Sequence, residues 1–340
     1  MQETKKVSII IPTFNEAANI SKCLQAISSN TYPHHLMEVI VVDGGSKDGT
    51  VESIQQFSNN GISYQVIDAP NTSVYTALNI GLKKSTGNYI VRVDARSIIP
   101  NNYIATCIKH IEEDKVTVAG GVQMQYGEDV YQKTIATVLQ SKLGTGNAKF
   151  RTGNYSGLVD TVYLGVFKKE VFDRVGYYDD DGIVVSEDSM MNDRIRSSGG
   201  KIYLDGTLVV QYPAKKTIKE LARQYFIYGG AKAHTFSKYK KLTAGRQYFI
   251  LLAFIAALLL SIFTLTGALP WQFAASFISF YALLIIGNAI LLKLNKGKDF
   301  ALLYALVVYP AIHISWTLGF FSRFIFGKKL APIFFQTKKK

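Results

Sequence analysis

Apolar residues in the first part of the chain come in short runs, each stopped by a proline, a turn or an acid. Residues 7–11 run into Pro12, residues 36–43 carry Val39-Ile-Val-Val42 and end on Asp43, and residues 62–67 form a third run. Residues 88–94, with Ile90, Val91 and Val93, end on Asp94. Between the runs the apolar spacing widens to three and four, as with Ala18, Ile20, Leu24 and Ile27 in residues 15–29, and helices are also expected in 51–57 and 73–84. Short apolar runs read as buried strands and the wider spacing as helices with one inward face. Strands alternating with helices predict an α/β fold on a mainly parallel, Rossmann-like sheet. In open sheets of this kind ligands bind beyond the carboxyl ends of the strands, so Asp94, between the turn Thr86-Gly87 and Pro100, is where a site is expected. Capping the following turn is the other role open to a lone acid there.

Further on, residues 163–167 read as a strand. Residues 187–196 read as a helix with Met190, Met191 and Ile195 inward and Ser186, Glu187 and Asp188 at its start. After Pro213 the pattern changes. Residues 217–239 mix Leu221, Tyr225, Ile227 and Tyr228 with Lys219, Arg223, Lys232 and Lys238, an amphipathic stretch suited to a membrane surface, with a plain basic linker as the alternative. Three apolar segments follow, at about 248–269, 271–292 and 300–322, each with at most one ionisable side chain. At ~1.5 Å per residue each is long enough for ~30 Å of hydrocarbon. The expected division is a soluble domain at 1–213, basic interface helices at 214–246, membrane helices at 247–326 and a basic tail at 327–340. Pro310 and His313 interrupt the third segment. Lysines 293, 296 and 298 belong on the cytosolic side by the positive-inside rule. Keeping Lys328, Lys329 and Lys338 to Lys340 there as well requires residues 300–326 to bend at Pro310 and return.

Charge sharpens the division. The chain of 340 residues carries a net charge of +13, yet from Lys215 onward there are 18 Lys and Arg against 2 Asp and Glu, leaving 20 against 23 before it. Basic residues that flank apolar segments fit an anionic lipid surface rather than nucleic acid. Cys23 and Cys107 have no paired spacing and read as core thiols of a reducing compartment. The start, Met-Gln-Glu-Thr-Lys-Lys, runs straight into a strand with no apolar signal region, so the soluble domain is expected in the cytosol.

Neither GxGxxG nor GxxxxGK[ST] occurs; the nearest run, Gly144-Thr-Gly146, has Lys149 where a third glycine is needed and follows no strand. That disfavours a dehydrogenase or a P-loop nucleotidase. What remains is a fold that holds a nucleotide diphosphate by strand-end carboxylates and a metal, because phosphates and acids repel unless a cation lies between them.

Five motifs then appear in order over residues 5–210: Ser8-Ile-Ile-Ile-Pro-Thr-Phe-Asn-Glu16, Val41-Val-Asp-Gly-Gly-Ser-Lys-Asp-Gly-Thr50, Asn79-Ile-Gly81, Val93-Asp94 and Glu187-Asp188. Together they resemble the inverting family 2 glycosyltransferases of the GT-A fold. Asp160-Thr-Val-Tyr-Leu-Gly-Val-Phe167, Val175-Gly-Tyr177 and Arg223-Gln-Tyr-Phe-Ile-Tyr-Gly229 are similar to the succinoglycan-type exopolysaccharide glucosyltransferases. The resemblance implies a donor site of Pro12, Thr13, Glu16, Asp43, Asn79, Asp94 and Arg96. Thr13 would lie near the base, Glu16 near the ribose hydroxyls, and Asp43 would accept from the uracil N–H, roles that suit a carboxylate. A first-turn acid serving the helix end is the alternative for Glu16.

Asp94 corresponds to the first acid of the DxD motif and so to the ligand of a divalent metal, Mg or Mn. Arg96 stands where the second acid is usual, and an arginine has only donors. It either offsets diphosphate charge or is a solvated surface residue. Asp188 is expected to be the base that takes the proton of the attacking hydroxyl, with Glu187 in support; favouring a helix N-terminus is the other role open to this pair. The glycine-rich residues 144–157, with Lys149 and Arg151, read as a lid over substrate or as an exposed loop. Asp179-Asp-Asp-Gly182 reads as a solvated acidic turn.

The function implied is a membrane-anchored glycosyltransferase whose catalytic domain faces the cytosol, moving a sugar from a UDP-sugar to a hydroxyl of a lipid-linked saccharide in cell-surface glycan assembly. A polyprenyl-phosphate sugar synthase and an inactive membrane assembly subunit are the rivals. A processive synthase is disfavoured because Gln-x-x-Arg-Trp is absent; Arg223-Gln-Tyr-Phe lacks the tryptophan.

Overall fold

The computed structural model describes residues 5–57, 61–146, 148–153, 155–179, 187–240, 242 and 245–327. The chain forms two compact units, one of residues 1–124 with 149–213, the other of 125–148 with 214–340.

In the first unit the alternation read from the sequence is present. β1 (Val7–Thr13), α1 (Ile20–Ser28), β2 (Met37–Asp43), α2 (Thr50–Gln55), β3 (Ser63–Asp68), α3 (Val74–Lys84), β4 (Tyr89–Arg92) and α4 (Tyr103–Glu113) follow in turn. β5 (Val118–Tyr126) closes this part. Strands β3, β2, β1 and β4 lie side by side and parallel. Alternate residues cover both faces, as the two-residue period of a strand requires. Ile9, Ile11, Val39, Val41 and Val91 pack with Ile20, Leu24 and Ile27 of α1 and Tyr103, Ile104 and Ile111 of α4. Ile40 and Val42 turn the other way, towards Ala69 and Ala77. Each valine, isoleucine or leucine side chain so buried contributes ~1.5–3 kcal/mol. α3 approaches β1 so closely that a Cβ at Gly81 would lie 2.3 Å from Ile10 Cγ2. Cys23 and Cys107 are free and buried in this core.

The expectation of a mainly parallel sheet holds for only half of it. The full order is β3-β2-β1-β4-β7-β5-β8-β6, with β6 (Gly157–Leu158), β7 (Tyr163–Lys168) and β8 (Ile202–Pro213). β7 runs antiparallel to both β4 and β5, and β6 antiparallel to β8. Parallel neighbours need a crossover for each strand, and the regular helix-per-strand alternation ends after β5, where β6 and β7 follow one another with no helix between them.

Residues 125–148 leave the soluble domain expected at 1–213. They form α5 (Val130–Gln140) and α6 (Lys142–Thr145) of the second unit. α7 (Lys149–Thr152) returns the chain to the first unit, so the glycine-rich stretch at 144–157 holds helical turns and the start of β6 rather than one loop. α8 (Glu170–Val175) and α9 (Glu187–Ser197) complete the first unit. Asp180, Asp181, Gly182 and Ser186, named above, lie outside the described residues.

The second unit continues with α10 (Ile218–Tyr239), α11 (Gly245–Leu265), α12 (Trp271–Lys296) and α13 (Leu302–Phe326). Ile135, Val138 and Leu139 of α5 are buried with Leu221, Tyr225, Phe300, Tyr309 and Trp316. Polar contacts add to this: Gln132 Nε2 donates to the Ala214 carbonyl at 2.7 Å and Lys133 pairs with Asp299 at 2.7 Å.

The membrane-surface reading of α10 leaves out one contact, because the helix does not stand apart from the others: it is pressed against α13 through two glycines. A Cβ at Gly229 would lie 1.8 Å from the Trp316 carbonyl oxygen, and one at Gly319 1.9 Å from that of Phe226. Nor does the third apolar segment turn back at Pro310: α13 runs unbroken from Leu302 to Phe326. The proline removes one backbone donor, but Val308, Ile312, Trp316 and Phe320 are buried on the α13 face, and that packing outweighs the local loss. The basic tail lies outside the described residues. Among those described, three helices are long and apolar enough to cross a membrane, at Gln247–Leu265, Trp271–Asp299 and Leu302–Phe326.

Candidate active site

The carboxyl ends of β1 and β2 are knitted together by their own turns. Thr13 and Asp43 are paired in register and both are buried. Asn15 takes a left-handed backbone, φ 53°, which lets its N–H donate to Ser46 Oγ at 2.8 Å while its Oδ1 accepts from Lys47 N at 3.0 Å. Asp43 accepts from the N–H groups of Gly45 and Ser46 at 2.9 and 2.8 Å and from the Ser46 hydroxyl at 2.5 Å. Its carboxylate therefore shapes the Gly-Gly-Ser turn as well as standing at the strand end. Pro12 precedes Thr13 within β1, opposite Val42. Glu16 is 7% exposed; its N–H donates to Thr50 Oγ1 at 2.8 Å and its Oε2 accepts from Asn19 at 2.8 Å.

Arg96 donates to Glu16 Oε1. It is thus neither a solvated residue nor an uncommitted cation, but the partner of the acid expected at the ribose. Asn79 has both ends of its amide on the backbone of Tyr178, donating to the carbonyl at 2.7 Å and accepting from the N–H at 2.9 Å. It brackets the segment before α9.

The centre of the arrangement is a residue that sequence reasoning passed over. Arg92, the last residue of β4, is buried and gathers three acids on one guanidinium. Its Nε and Nη2 donate to Asp94 Oδ1 at 3.1 and 2.9 Å, Nη2 donates to Glu187 Oε1 at 2.5 Å, and Nη1 donates to Asp188 Oδ1. The other oxygen of Asp94 accepts from the Tyr163 hydroxyl at 2.9 Å, and that hydroxyl lies 2.8 Å from Ser97 Oγ. So Asp94, Glu187 and Asp188 converge on one guanidinium, whereas Glu16 and Arg96 form a separate pair. The signal for Arg92 was there: a charged residue inside an apolar strand, two positions before an acid and so on the same side.

One cation among three acids leaves surplus negative charge. Burial pushes Asp188 up to about 7, against the pull of Arg92, with Glu187 and Asp94 adding to the rise. Burial alone would disfavour the charge on Arg92, but Asp188, Asp94 and Glu187 together hold it firmly protonated. Burial likewise raises the Tyr178 hydroxyl, which stays neutral. A carboxyl poised near neutrality on a strand-facing helix end is suited to taking a proton. Glu187 and Asp188 also begin α9, so favouring the helix N-terminus and serving the site are compatible roles.

Among the described residues no group of three or more His, Cys, Asp or Glu side chains is arranged to hold a metal ion. Asp94, the expected metal ligand, is oriented by Arg92 and Tyr163, whose three hydrogen bonds leave one lone pair of its carboxylate open. That fits a cation held by one carboxylate and the phosphate oxygens of a substrate, the usual manner for Mg, and does not fit a cation caged by protein alone.

Comparison with known proteins agrees with this geometry. Residues 8–176 match the family described as glycosyl transferase family 2. The chain is 28% identical over 330 residues to the succinoglycan biosynthesis protein ExoA of Rhizobium meliloti (strain 1021), covering 95% of this chain and 96% of that protein. It is 26% identical to the dolichyl N-acetyl-alpha-D-glucosaminyl phosphate 3-beta-D-2,3-diacetamido-2,3-dideoxy-beta-D-glucuronosyltransferase of Methanococcus voltae, covering 94% and 98%. Its fold resembles that of the mannosyltransferase PcManGT from Pyrobaculum calidifontis in complex with GDP-Man and Mn2+, with a TM-score of 0.68 at 19% identity over 96% of this chain and 89% of that one. The chain is a glycosyltransferase of the GT-A fold with a family 2 domain, similar over nearly its whole length to proteins of glycan assembly.

Proposed function

We propose that the chain transfers a sugar from a UDP-sugar to a hydroxyl of a lipid-linked saccharide, with inversion at the anomeric carbon, from a multi-pass position in the cytoplasmic membrane with the catalytic unit in the cytosol. The observation that carries the chemistry is Asp188, a carboxyl raised to about 7 and held by Arg92 beside the strand-end acid Asp94. In this reading Asp188 takes the proton of the acceptor hydroxyl as its oxygen attacks the anomeric carbon. The bond from that carbon to the phosphate oxygen breaks on the opposite face, and UDP leaves with the electron pair. Glu187 and Arg92 hold Asp188 in place. Asp43, Thr13 and Glu16 line the nucleoside side, and Asp94 holds the cation, Mg or Mn, whose chemistry when bound is neutralisation of the diphosphate.

The lipid-linked acceptor is supported by the three helices long and apolar enough to cross a membrane, and by the dolichyl-linked substrate in the name of the Methanococcus voltae relative. The excess of basic residues from Lys215 onward supports contact with an anionic membrane surface. The test is a panel of nucleotide sugars offered to the full chain in bilayer discs, with lipid-linked saccharide in one arm and polyprenyl phosphate alone in the other. Transfer from a UDP-sugar in the first arm only is expected. Transfer to polyprenyl phosphate alone would replace this reading with a phosphate-acceptor synthase.

A further inference from the structure

We propose that Arg92 is a positioning residue that couples occupation of the donor side, at Asp94, to the readiness of the base, Asp188. The inference rests on the reading of Asp188 as the base and goes beyond it.

The geometry is specific. Arg92 closes β4 and its guanidinium reaches Asp94 two residues further on, while Glu187 and Asp188 meet the same guanidinium from the start of α9. The side chain is only 6% exposed. A guanidinium is planar and its five donors are fixed in one fork, so its hold on Asp94 and its hold on the acid pair are parts of one rigid body. Among the described residues, the groups that face Asp188 are Arg92 at the end of β4, Asp94 just after it, Glu187 from its own helix, Tyr178 from the segment before α9, and Tyr103 from α4. Of these, only Arg92 is a cation in contact with it.

In the proposed reading Asp94 is the member of the cluster on the donor side. While it is free it takes two of the guanidinium's donors and adds negative charge that opposes ionisation of Asp188. When its charge is drawn to the cation that accompanies a diphosphate, that opposition falls and the guanidinium's field is left to the acid pair. Asp188 then gives up its proton more readily and is ready to accept one from a hydroxyl. The base is therefore expected to be protonated in a large fraction of the free protein near neutral pH and ionised once the donor is seated.

The experiment has two parts, both on the full chain in bilayer discs. First, UDP with Mn2+ is titrated into wild type and Asp188→Asn by calorimetry near neutral pH, in buffers of different ionisation enthalpy. Wild type should release a proton on binding and Asp188→Asn should not; equal proton release in the two would overturn the coupling without needing any change at Arg92. Second, Arg92→Lys keeps the charge but loses the fork. Its kcat should fall ~10²-fold with the donor KM within ~3-fold, and the acid limb of its rate profile should move to higher pH by about one unit. A merely structural role would lower the unfolding temperature and leave the acid limb in place, and that result, or unchanged kcat, would overturn the proposal. Should Asp188→Asn retain normal transfer, the reading of the base fails, and this inference with it.

Discussion

Arg96 donates to Glu16 across the ends of two neighbouring strands, joining the turn after β4 to the turn after β1. The pair explains why an arginine is compatible with the position usually held by a second acid. A carboxylate at residue 96 would face the buried Glu16 with no cation between them, and like charges in a shared site repel.

Two outcomes follow for substitutions here. Arg96→Ala should weaken UDP-sugar binding by a few-fold, because Glu16 loses its partner and its orientation, while the preference between Mg and Mn stays as in wild type. Arg96→Asp should bind worse than Arg96→Ala. Calorimetric affinities of the three proteins for UDP with each metal give the ranking, and tighter binding by Arg96→Asp would show that the position is free to serve as a metal ligand.

Asp94→Ala should abolish the effect of a divalent cation on donor affinity if, as proposed, Asp94 is the carboxylate that holds it. UDP titrations with Mn2+ and with chelator should differ strongly in wild type and coincide in the variant. Equal affinities in wild type with and without chelator would remove the metal from the account.

The raised carboxyl of Asp188 makes a pH prediction with a definite sign. An acid whose folded pKa, about 7, lies above its ordinary 3.8 favours the fold when protonated, and that contribution is lost as pH rises from the lower value to the higher. Asp188→Asn should therefore gain unfolding temperature relative to wild type above neutral pH and little at acid pH. Transfer by wild type, measured as kcat/KM, should rise with pH through about 7 as the base ionises. A profile flat between acid and neutral pH would contradict the assignment.

In the second unit, Gly229→Leu or Gly319→Leu should separate α10 from α13, because even a Cβ at these positions meets a backbone carbonyl oxygen within 2 Å (1.8 and 1.9 Å). Overpacking of this kind costs ~1–3 kcal/mol or more. Thermal unfolding in detergent should show the loss. Truncation after Pro213 should give poorly soluble protein, since Ile135, Val138 and Leu139 lose the helices that bury them.

The parts of this molecule that were legible in the sequence are those set by local pattern. Strands β1 to β4, the helices between them, the acid at the end of the fourth run and the acids opening α9 all follow from spacing and turn residues within a few positions. The parts that were not legible depend on partners far apart in the chain. Arg92 meets Glu187 and Asp188 only because the sheet brings β4 under α9, and a strand read as apolar hid it. Arg96 read as surface or phosphate ligand because Glu16, eighty positions away, is invisible to local inspection. Residues 125–148 have an ordinary amphipathic helix pattern, which states that one face is buried but not which unit buries it. The same holds for α10, whose basic and apolar faces read as a membrane-surface helix although Gly229 fits it to α13.

The central claim is that Asp188 is the base and Glu187 its support. The direct test measures donor affinity and transfer rate side by side for wild type, Asp188→Asn and Glu187→Gln in one preparation. A carboxylate that receives the acceptor proton contributes ~10²–10⁴-fold in rate, so Asp188→Asn should lose that much transfer while UDP-sugar affinity stays within a few-fold. Glu187→Gln should be milder, as fits an acid that holds Arg92 and the helix end. Near-normal transfer by Asp188→Asn, or a greater loss in Glu187→Gln, would contradict the account.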